Sequence, residues 1–168
     1  MAGMKTLDDL FLHTLKDVYY AERQILKALP RMAKAAQSQD LRDGFMMHRE
    51  QTQEQIERLQ QIFETLGKRA QGVTCEAING LIEECEELLE GTPQPSAVRD
   101  AGLIACAQAV EHYEMARYGA LAAWARASGK KDIVTLLEET LSEEKQADAL
   151  LNKVANDSIN PEALREAA

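Results

Sequence analysis

Apolar residues recur along this chain in alternating steps of three and four, the signature of helices that bury one stripe. Phe11, Leu15, Val18, Glu22, Ile25, Leu29, Met32 and Ala36 step by 4,3,4,3,4,3,4, and only Glu22 interrupts the apolar series. Leu41, Phe45, His48, Thr52, Gln55, Leu59, Ile62 and Leu66 repeat that spacing, again with a polar middle. A third long helix is expected from near Ser96 to about Ser128. In a fourth, Ile133, Leu137, Thr140, Glu144, Ala147, Leu151 and Val154 step by 4,3,4,3,4,3. Thr6 offers a hydroxyl N-cap ahead of early acids, and Gly67 and Gly129 stand where helices should end. Pro30 lies inside the first stripe and predicts a kink or an earlier end there.

The middle of the chain differs. KRAQGVTC leads into the acidic, amphipathic AINGLIEECEELLE, which GTPQPS closes. This piece has room for one shorter helix carrying the chain between two long hairpins. The hairpins also resemble each other: KALPRMAKAAQSQDL overlays GALAAWARASGKKDI at an offset of 92, which carries Glu22 onto Glu114 and Gln51 onto Glu143. Two antiparallel helical hairpins joined by a long crossover make an all-α, ferritin-like four-helix bundle. The expected organisation is one domain over 1–168. Hairpin 1 covers about 6–67, the crossover helix about 74–91 and hairpin 2 about 96–156. A loose tail follows over 157–168, with Asn160 as a cap and Pro161 opening a last turn.

Composition narrows the function. A formal net charge of −9 argues against nucleic acid or an anionic membrane as partner. The excess acid fits a solvated surface, and it also fits carboxylates that hold a cation. Cys75, Cys85 and Cys106 have neither an even count nor CxxC spacing, so a disulfide framework or thiolate zinc site is not expected and a reducing compartment is. MAGMKTLDDLFLH lacks the basic start and apolar run of a signal peptide, and no run approaches a membrane span. A cytoplasmic protein is the expectation. No GxSxG, P-loop or GxGxxG element occurs.

The polar breaks in the stripes are the candidate chemistry. AVEHYEMARYG puts Glu111 and Glu114 one helical turn apart, on one face. If the first hairpin turns near residues 38–39, Glu22 lies level with about Gln55, and Gln51 is roughly 6 Å away along the axis. In the second, Glu114 lies within about two residues of Glu144, and His48 sits about two turns from the Gln55 level. Carboxylates converging in an apolar interior cannot all stay charged alone. Three remedies exist: shared protons at raised pKa values, pairing with a buried base such as Arg117 or Lys145, or a bound metal. Of the remaining histidines, His13 falls off the stripe and is expected at the surface. His112 points about 100° from Glu111, so a surface position or a supporting role behind the ligands is expected for it. Tyr19, Tyr20, Tyr113 and Tyr118 could hydrogen-bond carboxylates or take part in radical chemistry, with helix packing as the default. Met46 and Met47 read as packing or an oligomer contact, and Cys85 as a bystander in an acidic face.

VYYAERQILKALPRMAKAA, MHREQTQEQIERL, CEAINGLIEE, AGLIACAQAVEHYEMARYG and ETLSEEKQAD, in this order, resemble the YciE/YciF family of bacterial ferritin-like proteins. The resemblance spans nearly the whole chain. It implies a ferritin-like bundle with an extra crossover helix, a dimer, a diiron-type site and a role linked to stress. Carried over residue by residue, the implied metal ligands are Glu22, Glu111, Glu114, Glu143 and Glu144, with His48 nearby. One departure matters. Where the family shows H-x-x-E-T, this chain reads His48, Arg49, Glu50, Gln51, Thr52, so a neutral amide replaces a bridging carboxylate. Gln55 is no stronger a ligand, neither EQTQ nor EEKQ supplies a Glu-x-x-His pair, and Glu50 and Glu54 fall on the outer face. One ion is easier to accommodate than a full two-metal centre.

The expected function is therefore binding of iron, as one or two ions, or of a similar divalent metal. Oxygen or peroxide are the natural small reactants, and a homodimer is the expected assembly. The competing expectation is a metal-free structural or stress-associated bundle whose buried acids are protonated or salt-bridged. Iron storage would need a closed shell that nothing in the sequence indicates.

Overall fold

Thr6 opens the first helix in the computed structural model, which describes residues 3–166. Its hydroxyl accepts the Asp9 N–H (3.1 Å) and the Asp9 carboxylate accepts the Thr6 N–H (3.0 Å), a reciprocal capping box. Helix α1 (Leu7–Ala35) then runs through Pro30 without ending there. Pro30 is exposed, and Ile25, Leu29, Met32 and Ala33 on either side of it are buried. That burial outweighs one lost backbone hydrogen bond. Ser38 caps α2 (Gln39–Thr65). Gly67 ends it with φ of 63°, while Lys68 N–H reaches back to Phe63 C=O at 2.9 Å.

The shorter helix expected in the crossover is α3 (Glu76–Gly91), capped by the Cys75 thiol. Ser96 caps α4 (Ala97–Ala127), and Gly129 stops it with φ of 70° and a Lys130 N–H to Ala125 C=O bond of 2.9 Å. Helix α5 (Lys131–Val154) completes the second hairpin. The tail is not loose as far as residue 166. A π-helical turn (Ala155–Ile159) leads directly into α6 (Asn160–Glu166), and Asn160 is helical rather than a cap after a break. Ala155 and Ile159 are buried, and the Glu166 carboxylate accepts the Ala97 N–H (2.8 Å) at the start of α4. An acid there satisfies an otherwise open helix terminus. Residues 167 and 168 of the expected tail lie outside the described residues.

Helix α1 packs along α2 and α4 along α5, and the hairpins join through α2 on α5 and α1 on α4. Helix α3 lies outside this ring, against α4 and α1. It rests close on α4 because Gly102 has no side chain: a Cβ there would lie 2.4 Å from Leu88 Cδ1. The buried Asp100 of α4 accepts the Gln37 and Ser38 N–H groups (2.8 and 2.7 Å) and ties the α1–α2 link to the second hairpin. Among the described residues, no helix is long and apolar enough to cross a membrane.

The apolar interior forms two blocks. One contains Ile25, Leu29, Leu41, Phe45, Ile78, Leu103 and Ile104. The other contains Phe11, Leu15, Val18, Leu59, Ile62, Leu121 and Leu137. Glu22, His48, Thr52, Gln55, Glu111, Glu114 and Glu144 belong to neither block and are all buried. The polar breaks of four stripes thus become one layer across the bundle.

Two glycine replacements separate local strain from helix propensity. Gly129→Ala forces a side chain into the left-handed region and should lower stability by about 1 kcal/mol. Gly119→Ala, in helical backbone with open space around its Cβ position, should raise it by up to about 1 kcal/mol. Urea unfolding of both variants measures the two signs.

Candidate metal centre

Each long helix delivers a polar residue to the layer at a stripe position. On α4 the series Leu103, Ala107, Glu111, Glu114, Tyr118, Leu121 and Ala125 is buried throughout, so Glu111 and Glu114 point inward because their helical neighbours do. Glu22 comes from α1, His48 from α2 and Glu144 from α5. His48 Nδ1 stands 3.0 Å from Glu111 Oε1, and its Nε2 stands 3.6 Å from Glu144 Oε2. One ligand atom from each of His48, Glu111, Glu114 and Glu144 falls within 4.8 Å of the other three. Glu22 lies outside this set of four and meets the Glu114 carboxyl, while Tyr118 Oη donates to Glu22 Oε1.

The chemistry of these groups is set by what they lack. Among the described residues, Glu22 Oε2, His48 Nε2 and both oxygens of Glu111, Glu114 and Glu144 are buried without a hydrogen-bond partner. Such groups are rare, because an unmade buried bond costs about 1–3 kcal/mol and more for an ion. Burial pushes Glu22 up to about 8, helped by repulsion from Glu144 and opposed by the Tyr118 hydroxyl. Burial likewise raises Glu111 to about 7, opposed by the neighbouring Glu144 carboxyl and helped by repulsion from Glu22. Glu114 and Glu144 are driven well above the usual carboxylate range, by burial first. The pairs Glu22/Glu114 and Glu111/Glu144 can therefore each share a proton when no cation is present. With a cation the same oxygens become ligands. Three carboxylates and one imidazole suit a hard or borderline divalent ion. The cluster can hold a metal.

Glu143, implied as a ligand by the family resemblance, faces elsewhere. Arg58 Nη1 and Nη2 donate to its two oxygens at 2.7 and 2.6 Å, and Gln55 Nε2 donates to Oε2 at 3.0 Å. It sits one residue before Glu144, hence about 100° around α5, and its side chain is 19% exposed where that of Glu144 is 1%. The buried base of this layer is Arg58, which also donates to Thr140 Oγ1 at 3.1 Å. Neither Arg117 nor Lys145 fills that role. Arg117 is exposed over the Tyr113 ring, and Lys145 is exposed. Arg58 is recognisable in the sequence only as a base three residues after Gln55, beside stripe residue Leu59. Tyr118, one turn beyond Glu114, is the tyrosine that hydrogen-bonds a carboxyl of the layer. Gln51 is half-buried, Glu50 and Glu54 are exposed, and His13 and His112 lie at the surface.

The raised carboxyls make a signed prediction for the metal-free protein. Between about pH 4.5 and pH 8 the folded state holds more protons than the unfolded chain, so these groups favour folding fully below that window. Their contribution is lost as pH rises through about 7 to 8. The urea midpoint of chelator-stripped protein should fall between about pH 5 and about pH 8.5, and Glu22→Gln should flatten the fall.

The model of the family described as "Domain of unknown function (DUF892)" matches residues 6–164. Protein YciF of Escherichia coli is 44% identical over 166 residues, 98% of this chain and 99% of that protein. The crystal structure of this E. coli stress protein superposes with a TM-score of 0.88, covering 94% of this chain and 99% of the other. YcfI from Rhodopseudomonas palustris, for which a structural role is suggested, is 51% identical with a TM-score of 0.89, over 92% of this chain and 98% of that one. A Xanthomonas campestris protein at 20% identity shares the fold with a TM-score of 0.75, over 97% of this chain and 100% of that one. Fold and sequence agree: this chain belongs to the YciF-type family of helical bundles, the domain of unknown function DUF892.

Proposed function

We propose that this protein binds one divalent cation, with iron as the first candidate, on His48, Glu111, Glu114 and Glu144, and reacts there with oxygen or a peroxide under stress. The orphaned oxygens of Glu111, Glu114 and Glu144, packed against an imidazole in the dry middle of the bundle, carry this reading. A shared cation is the one partner that satisfies all of them at once. Bound iron would supply a redox-active Lewis acid at that point. His48 contributes its one neutral donor, and Glu22, hydrogen-bonded by Tyr118, can hold a proton beside the Glu114 ligand. The two apolar blocks exclude water from both ends of the layer. Gln51 in place of an acid and Ala147 one turn beyond Glu144 leave a donor set for one ion rather than two. The E. coli relative's description as a stress protein agrees with such a role. A homodimer through the exposed Met46, Met47 and Leu150 belongs to the same reading, and light scattering measures it.

A second reading has its own support. Arg58 on Glu143, Tyr118 on Glu22 and two carboxyl pairs sharing protons could make a metal-free scaffold, as the role suggested for the R. palustris relative implies. Metal analysis of protein purified without chelator separates the two. About one ion per chain is expected in the wild type, lost in Glu114→Ala and Glu144→Ala and kept in Glu143→Ala. Affinity should rise with pH through about 7, where Glu111 sheds its proton, and go on rising above it, because Glu114 and Glu144 hold theirs well above the usual carboxylate range. Wild-type protein that stays empty after anaerobic ferrous iron is added leaves the scaffold reading standing.

A further inference from the structure

The crossover helix carries chemistry that the metal centre does not use. Cys85 on α3 and Cys106 on α4 are neighbours where these helices pack. Cys85 is buried and Cys106 half-buried, and both are free. They also line a cavity of about 220 Å³ between α1, α3 and α4. Its outer end carries Lys27 and the Arg31–Glu86 ion pair, and His48 and Glu111 form part of its wall. The third thiol differs. Cys75 caps α3, lies 3.1 Å from Tyr113 Oη and does not line this cavity.

We propose that Cys85 and Cys106 are a redox pair that closes to an intramolecular disulfide when a peroxide enters this cavity. The space suits hydrogen peroxide or a small alkyl hydroperoxide, since a cavity of about 150 Å³ already accepts a benzene-sized molecule. Cys106 is the attacking thiol. It is the more accessible of the two, and the neighbouring Cys85 thiol favours its thiolate while Cys85 itself is the harder to ionise. Its sulfur attacks the terminal oxygen of ROOH. The O–O bond breaks, ROH leaves with a proton, and Cys106 becomes a sulfenic acid. The Cys85 sulfur then attacks the Cys106 sulfur, the S–S bond forms, the S–O bond breaks, and the oxygen departs as water. Two thiols are oxidised to one disulfide, and the peroxide takes both electrons. No metal takes part, so the pair stands apart from the reading of the acid cluster.

Full-length protein stripped with chelator and treated with tert-butyl hydroperoxide tests this directly. Thiols titrated in denaturant should fall from three per chain to one, with mass mapping linking Cys85 to Cys106 and leaving Cys75 free. In Cys85→Ser, Cys106 should stop at a sulfenic acid that dimedone traps. In Cys106→Ser, Cys85 oxidation should slow by at least about tenfold, since the accessible thiolate is gone. Three surviving thiols, a bond to Cys75 or to a second chain, direct passage of wild-type Cys106 to sulfinic acid, or unchanged Cys85 oxidation in Cys106→Ser would overturn the proposal. Because the metal is absent throughout, failure here leaves the acid cluster untouched, and an empty acid cluster leaves the thiol pair untouched.

Discussion

Four carboxyl groups with almost no donors around them set the terms for the rest of this bundle. Glu22, Glu111, Glu114 and Glu144 are buried where water cannot solvate them, and Tyr118 supplies one hydrogen bond to the group. Moving such ions out of water costs several kcal/mol each, so the folded state must hold protons, bases or a cation there. The layer uses the first two remedies in part. Arg58 neutralises Glu143 at its edge, and the carboxyl pairs can share protons at its centre. What remains is a compact set of oxygens beside one imidazole. That arrangement would be an expensive way to build a core and is an ordinary way to build a cation site.

The helices themselves were legible because the stripes are apolar at 3.5-residue spacing and several boundaries carry a recognisable cap. Thr6, Ser96, Gly67 and Gly129 sit where the pattern places them. Two local rules were overridden by packing. Pro30 did not end α1, because the apolar stripe continues past it. The tail did not fray over its described residues, because Ile159 is buried and Glu166 caps α4. Neither effect is local: both depend on what lies across the interior.

The acid layer was legible for the same reason as the helices, since a polar residue at a buried stripe position must face inward. Glu22, His48 and Glu144 stand at such positions, whereas Glu111 and Glu114 share a face whose direction the spacing leaves open and the family resemblance points inward. Glu143 shows the limit of a family pattern read without geometry: one residue's rotation around α5 carries it out of the cluster and onto Arg58. Arg58 itself was hidden. A long side chain one position off the stripe can snorkel either way, and only the position of its acid across α2 and α5 decides. The meeting of Cys85 with Cys106 was hidden too, because nothing in an acidic helix says which of its faces rests on α4.

The division of the apolar interior into two blocks has a consequence for how this molecule comes apart. A continuous core transmits a local defect along its whole length, whereas a hydrophilic belt with few internal bonds is a natural line of weakness. Each end of the cylinder keeps its own greasy contacts. Breathing motions should therefore begin at the waist, with amide protons near Thr52 and Glu111 exchanging sooner than those near Leu15 or Phe45.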